Sequence, residues 1–301
     1  MVSRIYVKNA RCYENLSDWF NAFKYYDMAL QYFIKAGDNE KINEMKLAIA
    51  NIFYNTYKHD KAEMLLNDIL KSGETISNEL KIKTYLMRAV IKNDNIEEAY
   101  KNYKSAFTLV EPTTSRKVLA ELYFKFAAVC DELDETELAI KLYRRCLDIN
   151  KDNPHISAAT FNLAMIYEDT GSVEMAVKYY KECLEFDDKN VRYETAIRLA
   201  KIYKRKAPET ALEYFRIAIN TAKEINEPYY IMASNVDYGD FCADRREFAK
   251  ALKSYIKAIS KTKTSTLETY KAKIEQRIKD LRVRLGDDKF KQIENEILKN
   301  G

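Results

Sequence analysis

The sequence predicts an all-α fold, a solenoid of about seven helical hairpins followed by C-terminal capping helices. Three observations carry this expectation. The 301 residues include only 6 Gly and 4 Pro, while Lys, Glu, Ala and Leu abound, a composition that favours helix. Apolar side chains fall three and four residues apart, the spacing that puts them on one face of a helix. One pattern of small and aromatic residues also returns every 35 to 40 residues.

The pattern is clearest between Thr160 and Asp188. Leu163, Ala164 and Tyr167 mark a first helix; Ala176, Tyr180 and Cys183 mark a second. Gly171 stands between them, where a turn needs a residue that tolerates positive φ. Ala164 and Ala176 let two backbones approach, and the tyrosines fill the space beside them. Such a hairpin cannot bury its own apolar faces, so it needs neighbours of the same kind.

The chain supplies them. Aligned on the alanine that opens each second-helix stripe, it shows Ala22, Ala62, Ala99, Ala139, Ala176, Ala211 and Ala251, at steps of 40, 37, 40, 37, 35 and 40 residues. Four residues after each comes Tyr26, Leu66, Tyr103, Tyr143, Tyr180, Phe215 or Tyr255. Three further on comes Ala29, Ile69, Ala106, Cys146, Cys183, Ala218 or Ala258. Twelve residues before the alanines, in the first helices, stand Ala10, Ala50, Met87, Ala127, Ala164 and Gly239, with Ala200 one residue closer.

This pattern resembles the tetratricopeptide repeat family, in the subclass with extended helices, since the steps exceed the family's usual length of about 34. The resemblance covers about residues 3 to 260. It implies a right-handed superhelix whose first helices line a concave groove and whose second helices form the back. Two family features are missing: the aromatic near the start of the first helix and the proline that closes a repeat. Pro154 and Pro228 instead open repeats, and Pro112 separates the third from the fourth.

The repeats are expected at 3–38, 42–75, 78–111, 115–152, 155–188, 191–226 and 228–263, with turn formers such as Gly37-Asp38-Asn39 and Ser72-Gly73-Glu74 between them. Pro208 shapes the turn inside the sixth. Residues 264–301 carry one further stripe, Leu267, Tyr270, Ile274, Ile278, Leu281 and Leu285, on a long charged helix ended by Gly286. A short piece with Phe290, Ile293 and Ile297 follows. The expected role is to cap the last repeat; the alternative is a coiled-coil seam. The chain is accordingly a monomer or a homodimer through this helix.

Composition argues against chemistry. With two His, five Cys and no C-x-x-C pair, no His/Cys zinc site is expected. No Gly-rich phosphate loop or nucleophile motif occurs. The expectation is a non-enzymatic protein with no cofactor and no metal, its cysteines serving as small buried thiols in a reducing compartment. Arg4, Lys8 and Arg11 interrupt the N-terminal apolar run, and no stretch reaches the ~18 apolar residues of a membrane span. A cytoplasmic location without a membrane partner is expected.

The residues to examine are those pointing outward from the first helices. By helical phase they are Arg11 (with Glu14), Asn51 and Tyr54, Tyr85 and Arg88, Phe124, then Phe161, Asn162 and Met165. Arg198, Lys201 and Arg205 form a basic band, and Asp237, Asp240 and Asp244 an acidic one expected to face it. Arg11, Asn51 and Arg88 could hold a carboxylate, while Phe124, Phe161 and Met165 could form an apolar pocket. The leading function is a scaffold or adaptor that binds a peptide or protein segment in the groove. One alternative is a regulatory sensor of the bacterial peptide-responsive type. Another is nucleic-acid association through the basic C-terminal third, where 24 Lys and Arg stand against 16 Asp and Glu from Arg192 onward. Lys250, Lys253, Lys257 and Lys261 form its clearest stripe, but no stacking aromatics interleave with it, and nucleic acid is not the expected partner.

Overall fold

The computed structural model describes residues 2–149, 153–261 and 267–299; the expected boundaries at 152 and 263 lie outside these. Among the described residues the regular elements are helices, arranged as a helical solenoid. In order they are α1 (Val2–Asn15), α2 (Trp19–Ala36), α3 (Asn39–Asn55), α4 (His59–Lys71), α5 (Asn78–Ile91), α6 (Ile96–Thr108), α7 (Arg116–Glu132) and α8 (Thr136–Leu147). There follow α9 (Ile156–Asp169), α10 (Val173–Cys183), α11 (Lys189–Tyr203), α12 (Pro208–Ile225), α13 (Pro228–Asp244), α14 (Phe248–Ile259), α15 (Glu268–Leu285) and α16 (Asp287–Lys299). The chain divides into two compact units, Met1–Ile166 and Tyr167–Gly301.

Local chemistry starts and stops these helices. Asp18, Asp38, Ser77, Asn95 and Asp188 accept from backbone N–H groups of the first turn of α2, α3, α5, α6 and α11. Pro208 and Pro228 sit in the first turns of α12 and α13, where a missing N–H costs nothing. Five of the tight turns between first and second helices place a residue in the left-handed region, always five residues before the buried alanine: Ser17, Tyr57, Asp134, Gly171 and Arg246. The α5–α6 and α11–α12 turns have no such residue and are one residue longer.

The seven aligned alanines are fully buried. In the first helices Ala10, Ala50, Ala127, Ala164 and Ala200 are too, and Gly239 is buried. Met87 departs from the expected place. It is half-buried, while Leu86 and Ala89 take the interior of α5. The inward position of α5 thus lies one residue earlier than the repeat spacing puts it, a difference of about 100° around the helix.

In the first unit, Tyr26, Met45, Ile49 and Ile52 close one core cluster and Leu66, Ile69, Ile76 and Leu80 another. The second unit has a larger one. Phe215, Met232, Phe241, Leu252 and Tyr255 join Leu267, Ile274, Leu281 and Phe290. The C-terminal stripe is therefore spent inside its own unit, where α15 and α16 pack on α14 as an eighth pair. Tyr270 alone of the expected stripe is exposed. Cys130, Cys146, Cys183 and Cys242 are buried and Cys12 is exposed, all as free thiols. Burial pushes Cys130 and Cys183 up to about 12, so neither is a thiolate at neutral pH.

Gly239 has a steric reason to be glycine. A Cβ there would lie 2.5 Å from Cε1 and 2.8 Å from Cδ1 of Tyr255, itself buried and held by its hydroxyl. Gly239→Ala is expected to destabilise the second unit by about 1–3 kcal/mol through overpacking. Calorimetry would show the lower midpoint; Gly171→Ala, with no atom within 4 Å, serves as a backbone-only comparison.

Candidate functional site: the first-helix groove

The polar rows of the first helices begin with the tyrosine of A-x-x-x-Y. Its ring is buried, so its hydroxyl needs a partner. Tyr26 donates to Glu14 Oε2 at 2.7 Å, and the other oxygen of Glu14 accepts from Asn51 Nδ2 of the next hairpin at 2.6 Å. Tyr180 donates to Glu168 Oε2 at 2.6 Å, which also accepts from Arg198 Nη1 at 3.0 Å. Tyr255 donates to Asp240 Oδ1 at 2.7 Å, and Arg277 of α15 clasps both oxygens, Nε to Oδ1 at 2.8 Å and Nη2 to Oδ2 at 3.0 Å. A fourth tyrosine hydroxyl, that of Tyr143, accepts from Asn162 at 2.9 Å. Burial first, and then the adjacent carboxylate, hold Tyr26, Tyr180 and Tyr255 protonated well above the ordinary tyrosine range.

A second set of bonds fixes the other ends of the first helices. Glu40 of α3 accepts from the N–H and the hydroxyl of Ser77, the N-cap of α5, at 2.8 and 2.6 Å. Glu79 of α5 does the same for Ser115, just before α7, at 3.0 and 3.1 Å. Each carboxylate thus caps the first helix of the following hairpin.

Between these two rows, α1, α3, α5 and α7 of the first unit enclose a groove of about 910 Å³. Its floor is apolar, with Met45, Ala48, Leu86, Met87 and Val90. Its walls carry Arg11, Glu14, Asn51, Tyr54, Asn55 and Asn78, and three Lys–Glu pairs. Lys41 meets Glu44 at 2.7 Å, Lys83 meets Glu79 at 2.7 Å and Lys125 meets Glu121 at 2.9 Å.

Of the residues selected by helical phase, Arg11, Asn51 and Tyr54 line this groove. Tyr85 and Arg88 are half-buried and do not; Lys83, Met87 and Val90 stand in their place. The three-residue carboxylate site therefore lacks its third member. Phe124 is also no open wall. The His155 imidazole stacks on it at 4.7 Å and 7°, and Tyr143 lies 6.1 Å away. Burial lowers the His155 pKa, so the stack holds a neutral ring near pH 7. Phe161, Asn162 and Met165 on α9 are half-buried and are not among the groove's lining residues. The signal passed over was the i,i+4 repeat of Glu79–Lys83 and Glu121–Lys125 on successive first helices.

In the second unit the basic and acidic bands do meet. Lys201 approaches Asp237 at 3.8 Å and Lys204 meets Asp244 at 2.6 Å. Asp240 belongs instead to Tyr255 and Arg277, and Arg198 to Glu168. Burial raises the Asp237 carboxyl against the opposing pull of Lys201. Arg205 is exposed, as are Lys253, Lys257 and Lys261, while Lys250 pairs with Glu247 at 2.5 Å. Among the described residues, no three His, Cys, Asp or Glu are placed to hold a metal ion, and no helix is long and apolar enough to cross a membrane.

The sequence profile of the tetratricopeptide repeat matches residues 120–153 and 158–190. No curated protein matches the sequence. Among solved structures, the apo form of RapI is similar over 100% of this chain and 86% of its own, at 14% identity and a TM-score of 0.75. The apo form of the quorum sensor NprR from B. thuringiensis is similar over 92% and 86%, at 19% identity and a TM-score of 0.62. PilF of Pseudomonas aeruginosa is similar over 73% and 91%, at 15% identity and a TM-score of 0.56. At these identities the likeness is one of fold.

The groove wall is acid-sensitive. The Lys83 ammonium, and then the Ser115 N–H, hold Glu79 below its usual 4.5, so the folded chain binds that proton less readily than the unfolded one. Its contribution to stability is present above about 4.5 and is lost as pH falls through the lowered value. Urea midpoints measured from neutral to acid pH should fall less steeply for Glu79→Gln than for the wild type; parallel slopes would remove Glu79 from the account.

Proposed function

We propose that this chain, which carries tetratricopeptide repeats at residues 120–153 and 158–190, is a non-enzymatic adaptor that binds a peptide or an extended segment of a partner protein in the groove of its first unit. The observation that carries the reading is the combination of an apolar floor with amide and paired charged walls in one 910 Å³ groove. That volume lies in the upper part of the ~300–1,000 Å³ range of ligand sites. An extended chain offers N–H and C=O groups that must be met on binding. Asn55 and Asn78 both donate and accept, so either can meet such a group. The Lys–Glu pairs are part-exposed and contribute little by themselves, so a ligand's charged side chain can replace one member at small cost. Met87 and Met45 are unbranched and adapt to different side chains.

A second reading, a ligand-responsive regulatory sensor, draws on the fold shared with apo NprR, a quorum sensor, over 92% of this chain. The two readings differ in what binding does: a sensor changes shape, an adaptor does not.

A random peptide library displayed on phage and panned against the full chain tests both. Selected peptides should lose at least about tenfold in affinity against Asn55→Ala or Lys83→Ala, the scale of one charged or desolvated hydrogen bond. Undiminished binding to both variants would place the ligand elsewhere. Small-angle scattering with and without a selected peptide separates sensor from adaptor.

A further inference from the structure

The repeats of this chain serve as controls for one another. At the place two residues before the buried alanine, five hairpins carry Asp60, Glu97, Glu137, Glu174 and Glu209; the first carries Phe20. At the place two residues after it, five carry Lys24, Lys101, Lys141, Lys178 and Lys253; the second carries Met64. The stack plainly tolerates charge at both places, since both point away from the core. Yet Phe20 is 79% exposed and Met64 71%. The adjoining turns repeat the exception. Tyr57 occupies a left-handed turn position that is Ser, Asp or Gly in three other hairpins, at φ 58°, with 87% of its surface exposed. A bulky residue pays a conformational penalty there that glycine avoids. Leu16, in the preceding hairpin's turn, is 75% exposed. Four large apolar side chains of the first two hairpins therefore stand exposed where folding does not ask for them.

We propose that the outer faces of α2 and α4 form a two-fold interface with a second copy of this chain. Charge on the patch favours that occupant. The Phe20 row ends in Lys24 and the Met64 row begins with Asp60, so the face carries both signs and selects no partner of one charge. A two-fold axis along the helices lays α2 of one copy beside α4 of the other. Leu16 then meets the partner's Tyr57, and the Phe20–Lys24 row meets the partner's Asp60–Met64 row. Lys24 lays its stem on the partner's Met64 and reaches the partner's Asp60 with its ammonium, and symmetry repeats every contact. Aromatic side chains bury about 150–250 Å² each. Two of them with Leu16, Met64 and the lysine stem cover most of the ~800 Å² that each partner gives to a stable interface. This inference is independent of the groove, which opens on the other helices.

Sedimentation equilibrium on the full chain should give twice the monomer mass, and Phe20→Glu should raise the dimer dissociation constant at least about tenfold. Lys24→Asp and Asp60→Lys should each weaken association, and the double swap should restore it. Each position is exposed, and circular dichroism checks that each variant folds. A wild type that sediments as a monomer, binding some other molecule through this face or none, overturns the proposal. So does a dimer that survives Phe20→Glu, or a double swap that fails to recover association.

Discussion

The structure depends on the side chain four residues beyond each buried alanine. A tyrosine ring there fills the gap between two helices that small residues have let approach, and its hydroxyl cannot be left dry and unbonded. In the first, fifth and seventh hairpins a carboxylate on the first helix accepts its hydrogen bond, and the same carboxylate also accepts from Asn51, Arg198 or Arg277 of the following first helix. One buried ring thereby fixes the fold of its own hairpin and the seat of the next. Hydrogen bonds to a charged acceptor are worth about 1.5–3 kcal/mol when shielded from water; these are partly buried and fall toward the lower end.

Other junctions are closed by other bonds. The second hairpin has Leu66 in that place, and its junction with the third is closed by Glu40 on Ser77. The sixth has Phe215, and its junction with the seventh is held by Lys201–Asp237, Lys204–Asp244 and Arg245–Glu209. The repeats are thus equivalent in what they bury and individual in how they are joined. The groove inherits its polarity from these joints. Glu14, Asn51 and Glu79 are structural groups first, and they present polar atoms to the groove because holding the stack leaves them at its wall.

That double duty is what the proposed binding surface would rest on, with no dedicated scaffold beside the repeats themselves. The floor is core seen from its open side. The walls are the charged and amide residues that set the register. On the proposed reading, a ligand would compete for groups already hydrogen-bonded to one another, which would favour chains that offer their own donors and acceptors over purely apolar ones.

The sequence by itself determined the helical class, the period and the inward face of nearly every helix. The reason is local: 3.6 residues per turn decides which side chains share a face, and small residues at a fixed spacing decide where helices touch. Outward direction is another matter. In α5 it is Lys83 and Met87 that face the groove, where Tyr85 and Arg88 were expected. His155 covers Phe124 across 31 residues of sequence, and Arg277 reaches Asp240 across 37. Such pairings have no period to reveal them. They exist only once the hairpins have stacked and brought distant polar groups within bonding distance, so the tertiary structure alone decided them.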